Sequence, residues 1–341
     1  MGLRRTVLQR RLQGAGFRRP IVACAVISLA MLCGAARDGD GDADSSGSVW
    51  NVRDEIPLEE FVIQCHRGAG ELEAENTIEA FTLAWKLGTV PEADVRATSD
   101  GVIVAFHDAD FGRLVKDADA ALKKKGVEDL NWEALQRLDV GSWKGDEFAG
   151  RRVPRMTDVF RLMTGHPQRR LYLDIKEVDL ERLAGEVRSA KVEGQVILAS
   201  TKYDLHRQWK KLVPESGTLL WMGGTEEALA KRLSALRETE FADVTQLQIH
   251  VRPRSADDGG GFAPSPAFLR RTGEELRSHD ILFQTLPWGS TDPQLYRQLL
   301  DLGVASFATD HPHVTLEAVR DYYRQRSPAT DADDDNEVRK R

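Results

Sequence analysis

The sequence predicts an α/β fold, a (β/α)8 TIM barrel with a hairpin excursion and an insertion after its second strand. Three observations carry that reading. Short runs rich in β-branched residues alternate with stretches of helical periodicity, which implies a parallel sheet covered by helices. Eight such runs fall within roughly 265 residues, the usual size of one barrel. A ninth run follows the second too closely for a parallel crossover, which needs about a dozen residues or more.

The 341-residue chain opens on a segment unlike the rest. Residues 1–36 contain Arg4, Arg5, Arg10, Arg11, Arg18 and Arg19 and no acid. An apolar run from Ile21 to Leu32 follows, then Gly34, Ala35 and Ala36. Basic, apolar and small segments in that order predict a secretory signal peptide, and hence a periplasmic or extracellular protein. The apolar run is short for a membrane span, which needs about 20 residues. No stable span is expected after cleavage; an uncleaved anchor is the alternative. Residues 37–56 read as a flexible acidic linker, 57–322 as the barrel domain and 323–341 as a disordered polar tail.

Within the barrel the candidate strands are Phe61–Cys65, Pro91–Val95, Leu171–Ile175, Val196–Ser200, Thr218–Trp221, Thr245–His250, Ile281–Thr285 and Ala305–Thr309. The clearer helices are Thr77–Leu87, Leu180–Ala190, Asp204–Leu212, Glu226–Glu238, Pro266–Ser278 and Pro293–Leu302. The ninth run, Val102–Phe106, comes after the turn Ser99-Asp100-Gly101 and is expected to return as the second arm of a β-hairpin. Ala109–Pro154 then forms an insertion on the C-terminal face of the barrel. The stretch Asp257 to Gly261 reads as a mobile loop.

Apolar residues make up 41% and charged residues 30%, ordinary for a globular protein. Without the leader the chain carries 41 basic and 54 acidic residues, a net charge of −13. Such a domain lacks the basic footprint that non-specific nucleic-acid binding requires. Cys24 and Cys33 lie in the leader, so Cys65 alone remains and no intrachain disulfide forms. Its strand pattern makes Cys65 a core residue.

Four short motifs fall at strand ends: His66-Arg67-Gly68, Glu92-Ala93-Asp94-Val95, Phe106-His107-Asp108 and Leu173-Asp174-Ile175-Lys176. Side chains two apart on a strand face the same way, so Glu92 pairs with Asp94 and Asp174 with Lys176. At the C-terminal ends of barrel strands these groups converge. Three carboxylates suit one hard divalent cation, Mg²⁺ or Ca²⁺. Arg67 and Lys176 can offset phosphate charge. His66 and His107 can divide the proton work of ester cleavage, because imidazole titrates near neutrality.

These residues carry a resemblance. His66-Arg67-Gly68, Glu75-Asn76-Thr77, Ala80-Phe81, Glu92-x-Asp94-Val95, Thr98-x-Asp100-Gly101 and His107-Asp108 resemble the glycerophosphodiester phosphodiesterase family. The likeness continues through Asp139-x-Gly141-Ser142-Trp143, Pro154, Asp174-Ile175-Lys176 and Thr309-Asp310-x-Pro312, and covers about residues 60–316. It implies that His66 and His107 form the acid/base pair, that Glu92, Asp94 and Asp174 hold the metal, and that Arg67 and Lys176 bind phosphate. It implies a small glycerophosphodiester as substrate, with an alcohol and sn-glycerol 3-phosphate as products. Attack by the neighbouring glycerol hydroxyl through a cyclic phosphate is the implied route.

Three positions depart from the family pattern. Ala74 stands where Pro is common, Asp174 where Glu is usual, and Gln284-Thr285-Leu286-Pro287-Trp288 where a Trp-Thr-x-Asn motif is expected. Two other functions use the same residues: a phospholipase acting on intact lipids, and a non-catalytic phosphodiester-binding barrel. Asn76 or Thr77 is expected to cap the helix starting near Ile78. Trp143 and Trp288 either line the alcohol pocket or pack. His206, His250, His279, His311 and His313 read as structural, with His250 at the end of a barrel strand.

Overall fold

A computed structural model describes residues 50–255 and 260–325. The expected leader, residues 37–49 of the linker, residues 256–259, which include Asp257 to Gly259 of the expected mobile loop, and residues 326–341 of the tail lie outside the described residues.

The chain runs through α1 (Val52–Glu55), β1 (Val62–Cys65), α2 (Ile78–Lys86), β2 (Val90–Ala97), β3 (Ile103–Ala105) and α3 (Trp132–Leu135). It continues through α4 (Met156–Met163), β4 (Leu171–Glu177), α5 (Leu180–Ala190), β5 (Val196–Ser200), α6 (Tyr203–Leu212), β6 (Gly217–Met222) and α7 (Glu226–Arg237). It ends with β7 (Gln246–Pro253), β8 (Phe262–Ala263), α8 (Pro266–Ser278), β9 (Leu282–Pro287), α9 (Pro293–Asp301), β10 (Ser306–Thr309) and α10 (Pro312–Arg324). Eight strands are parallel neighbours in the order β1, β2, β4, β5, β6, β7, β9, β10. The ring closes where β10 pairs β1, Val62 opposite Ser306 and Cys65 opposite Thr309. This is the predicted (β/α)8 barrel.

The ninth run is the predicted hairpin arm: β3 lies antiparallel to β2, with Val95 opposite Ala105 and Ala97 opposite Ile103. Its turn uses Gly101 at φ 80°, a left-handed conformation that glycine adopts without steric cost. The insertion that follows is packed. Phe106, Phe111, Leu114, Val115, Val127, Leu135, Val140 and Val153 bury one another with Val104 of β3. A second hairpin was not foreseen. β7 runs on to Pro253 and pairs antiparallel with β8.

Two expected boundaries shift. Residues 52–55 are helical and Val52 is fully buried, and Asn51 Nδ2 donates to Tyr322 Oη at 2.7 Å. The flexible linker expected over 37–56 therefore gives way to ordered structure by Asn51. At the other end α10 reaches Arg324, and Tyr323 Oη donates to the Ile56 carbonyl at 2.8 Å. Helix α4 also lacked a forecast; Met156, Val159, Phe160 and Met163 form its buried stripe, the spacing of an amphipathic helix.

The apolar core lies between the sheet and its helices, where Leu171, Leu173, Leu183, Val187, Val196, Leu198 and Trp209 are buried together. The inside of the barrel is more polar. Gln248 Nε2 donates to Gln64 Oε1 at 3.3 Å, Gln284 Nε2 to Ser306 Oγ at 2.9 Å, and Tyr172 Oη to Gln246 Oε1 at 2.7 Å. Buried amides are tolerated when so paired.

His206 on α6 is fully buried, with Nε2 3.1 Å from the Ser200 carbonyl and Nδ1 lacking a partner. Burial lowers its pKa to about 4. The unfolded chain takes up that proton near the ordinary histidine value of about 6.5, so native stability falls as pH drops from there towards 4. In chemical unfolding at pH 7 and pH 4.5, His206→Gln should lose less stability on acidification than the parent, by about 2 kcal/mol. Equal losses would contradict this.

Candidate active site

The chain turns sharply after β1. Arg67 takes φ 53° and Gly68 φ 107°. A Cβ on Gly68 would lie 2.6 Å from the Cβ of Ala80 on α2, so the turn requires glycine here. The turn aims the Arg67 backbone N–H at Glu92 Oε2, 2.6 Å away. Asp94 and Asp174 are register partners on the parallel strands β2 and β4, so their side chains leave the same face of the sheet. Glu92, two residues before Asp94, joins them. One oxygen from each of Glu92, Asp94 and Asp174 lies within 4.8 Å of the others, and all three residues are buried.

The other predicted residues surround this cluster. Lys176 Nζ stands 2.6 Å from Asp174 Oδ2 and 3.0 Å from Asp94 Oδ1. Arg67 Nε is 3.9 Å from Asp94 Oδ2. His66 Nδ1 is 2.7 Å from Asp310 Oδ1, just beyond β10, and His107 Nδ1 is 2.7 Å from Asp108 Oδ1. A carboxylate partner at Nδ1 orients each ring and sets which nitrogen carries the proton. His107 and Lys176 line a cavity of about 500 Å³ together with Arg96 and Asp108.

Crowded charge sets the titration of the group. Burial and the neighbouring Asp94 carboxylate push Glu92 up to about 8. Burial also raises Asp174, against the pull of Lys176. Asp94 is held below the usual carboxylate range: burial opposes ionisation, but Lys176, His107, His66 and Arg67 outweigh it. Burial likewise opposes a charged His66, yet the bond to Asp310 and the charges of Glu92 and Asp94 raise its pKa to about 9.

The residues fit a divalent cation. The donor set is all carboxylate oxygen, which suits a hard ion. Asp94 Oδ1 is buried and makes no hydrogen bond, although Lys176 Nζ lies 3.0 Å away. A buried oxygen without a hydrogen bond is costly unless a charge completes it.

Comparison with known proteins identifies the family. The Glycerophosphoryl diester phosphodiesterase family matches residues 66–314. The chain belongs to this family. A glycerophosphodiester phosphodiesterase of Caldanaerobacter subterraneus is 32% identical over 269 residues, spanning 76% of this chain and 98% of its own. A glycerophosphoinositol inositolphosphodiesterase of Mus musculus is 34% identical, over 70% of this chain and 42% of its own length. Among solved structures, a glycerophosphodiester phosphodiesterase from Agrobacterium tumefaciens superposes with TM-score 0.58 at 22% identity, covering 75% of this chain and 99% of its own. A phosphodiesterase of Oleispira antarctica, in complex with the product sn-glycerol-3-phosphate, superposes with TM-score 0.55 at 24% identity, covering 76% and 96%.

In this family member the enzyme class is therefore glycerophosphodiester phosphodiesterase. The structure brings all seven predicted residues together. It also supplies partners that the sequence did not single out for the site. Asn76, expected as a possible cap, instead grips Asp94: its Nδ2 donates to Asp94 Oδ2 at 2.7 Å, and its Oδ1 accepts from the Asp94 N–H at 3.0 Å. Thr77 is the cap, its Oγ1 accepting from Ala80 N at 3.2 Å. Trp221 Nε1 approaches Asp174 Oδ1 at 3.3 Å. Asp310 carried two usable signals, its place at the end of a barrel strand and its part in the Thr309-Asp310-x-Pro312 resemblance. Trp143 packs beneath Arg113, 5.3 Å from ring to guanidinium, whereas Trp288 stands 43% exposed at the barrel mouth beside His250. His250 stacks on Trp221 at 5.1 Å. His311 and His313 both pair with Glu71.

Two outcomes are expected. Cation binding near pH 7 should release about one proton, because Glu92 titrates near 8 in the free protein. Affinity should weaken as pH falls below 8. Calorimetry in buffers of different ionisation enthalpy measures the proton count, and zero release would contradict the assignment. Asp310→Asn should lower the His66 pKa from about 9 in the metal-free protein and cut turnover by about tenfold or more. An unchanged His66 titration by NMR would refute that coupling.

Proposed function

We propose that the protein hydrolyses glycerophosphodiesters to an alcohol and sn-glycerol 3-phosphate, with His66 and His107 as the acid/base pair. The observation that carries this is the buried Glu92-Asp94-Asp174 cluster with two carboxylate-held imidazoles beside it. The Caldanaerobacter relative, which this chain spans almost end to end, and the product complex of the Oleispira protein support it.

Arg67 and Lys176 bind and orient the phosphate, Arg67 through its fork and Lys176 as a point charge. Glu92, Asp94 and Asp174 would hold one Mg²⁺ or Ca²⁺, whose Lewis acidity would polarise a phosphoryl oxygen. One imidazole takes the proton from the neighbouring glycerol hydroxyl as its oxygen bonds to phosphorus. The other gives a proton to the departing alkoxide as the P–O bond breaks. A cyclic phosphate results. Water then adds to phosphorus and one ring P–O bond opens, with the two imidazoles exchanging roles, so that each ends as it began.

Deacylated substrate is favoured over intact lipid. A lipid-acting enzyme calls for an apolar rim on the insertion, yet the exposed large apolar residues among the described ones are Leu58 and Trp288, both outside it. No described helix is long and apolar enough to cross a membrane. The arginine-rich leader supports export to the periplasm or the cell exterior.

His66→Ala and His107→Ala should each lower kcat by about 10²- to 10⁴-fold while cation affinity persists. An assay of sn-glycerol 3-phosphate release from glycerophosphocholine, with Mg²⁺, Ca²⁺ or chelator, reads both. Full activity in either variant would overturn the assigned pair.

A further inference from the structure

Arg113 is a residue of the insertion that neither strand position nor periodicity singles out. Its guanidinium uses both edges at once. Nε and Nη2 donate to Asp108 Oδ2 and Oδ1 at 2.7 and 3.0 Å. Nη1 and Nη2 donate to Glu75 Oε2 and Oε1 at 2.8 and 2.7 Å. The Trp143 ring lies 5.3 Å away.

The two carboxylates differ in what they are attached to. Glu75 belongs to the loop between β1 and α2 and is 8% exposed, so it is fixed to the barrel body. It also accepts from Arg67 Nη1 at 3.2 Å. Asp108 follows His107 directly, beyond β3, and its Oδ1 is the partner of His107 Nδ1. A ring on a loop needs such an anchor, because a carboxylate can orient an imidazole only if it is itself held. Arg96 holds the backbone at this point, donating Nε and Nη2 to the His107 carbonyl at 3.2 and 3.0 Å. It makes no such contact with the ring.

We propose that Arg113 is a positioning residue: it transmits the fixed position of Glu75 through Asp108 to the His107 ring, so that the insertion completes the active site. This rests on the reading of His107 as half of the acid/base pair. Lysine cannot replace Arg113, because a point charge cannot bond two carboxylates through four oriented N–H groups. The bonds to Asp108 leave their mark on its titration. Burial would raise that carboxyl, but His107 and Arg113 hold it well below the usual carboxylate range.

The test is a double-mutant cycle with Arg113→Ala, Arg113→Lys and Asp108→Asn, followed by kcat for sn-glycerol 3-phosphate release and by proton NMR of the His107 Nδ1–H. Arg113→Ala and Arg113→Lys should each lower kcat by about 10- to 100-fold, the cost of a misplaced catalytic group. In the Asp108→Asn background the same changes should cost less than about threefold, since the path already lacks its middle member. The Nδ1–H resonance should broaden or move upfield in both Arg113 variants. Full losses repeated in the Asp108→Asn background, wild-type kcat in both variants, or an unmoved resonance would each overturn the proposal. Should Arg113→Ala fail to fold, Arg113→Lys carries the same cycle. The resonance is read without substrate, so a wrong substrate assignment and a wrong role for Arg113 give different results.

Discussion

Three carboxylates buried within 4.8 Å of one another repel, and the rest of the site answers that repulsion. Like charges that close in a low-dielectric interior cannot all ionise without compensation. Lys176, the Arg67 backbone N–H and the Asn76 amide meet part of the demand. Burial and the Asp94 carboxylate keep Glu92 protonated up to about 8, so one of the three charges is suppressed in the metal-free protein. A divalent cation held by the three carboxylates would let Glu92 ionise.

The fold exists on these terms because barrel geometry makes convergence inexpensive. Parallel register sets Asp94 beside Asp174 without any loop having to do so. The turn after β1 then adds an N–H donor, at the expense of left-handed backbone at Arg67. Strain of this kind persists only where the surroundings over-determine it; here Gly68 pressed against Ala80, and Asn76 hydrogen-bonded through its N–H to the Arg67 carbonyl at 2.8 Å, do so. Close packing and a backbone hydrogen bond thus hold the turn that carries Arg67.

What was legible in the sequence follows from range. Period-two and period-3.6 patterns are local, so the eight barrel strands and most helices could be read, as could the antiparallel arm at Ile103–Ala105 from its short turn. Residues at strand ends were legible because barrel topology brings them together. The β7–β8 hairpin was not, because a two-residue strand has no period to detect. Asp310, Asn76 and Arg113 were not seen as site residues for a related reason. Each acts on another side chain across a long or irregular stretch of chain: Asp310 on His66, 244 residues away, Asn76 on Asp94 and Arg113 on Glu75. The ordered ends at Asn51 and Tyr323 were missed likewise, since each is held by a partner from the opposite terminus.

Glu92, Asp94 and Asp174 stand close enough together to enclose one cation. Crystals soaked in Mn²⁺ and measured at its absorption edge test it directly. A single anomalous peak is expected, with an oxygen of each carboxylate about 2.0–2.5 Å away. A peak bound elsewhere, or one touching fewer than two of the three, would contradict it.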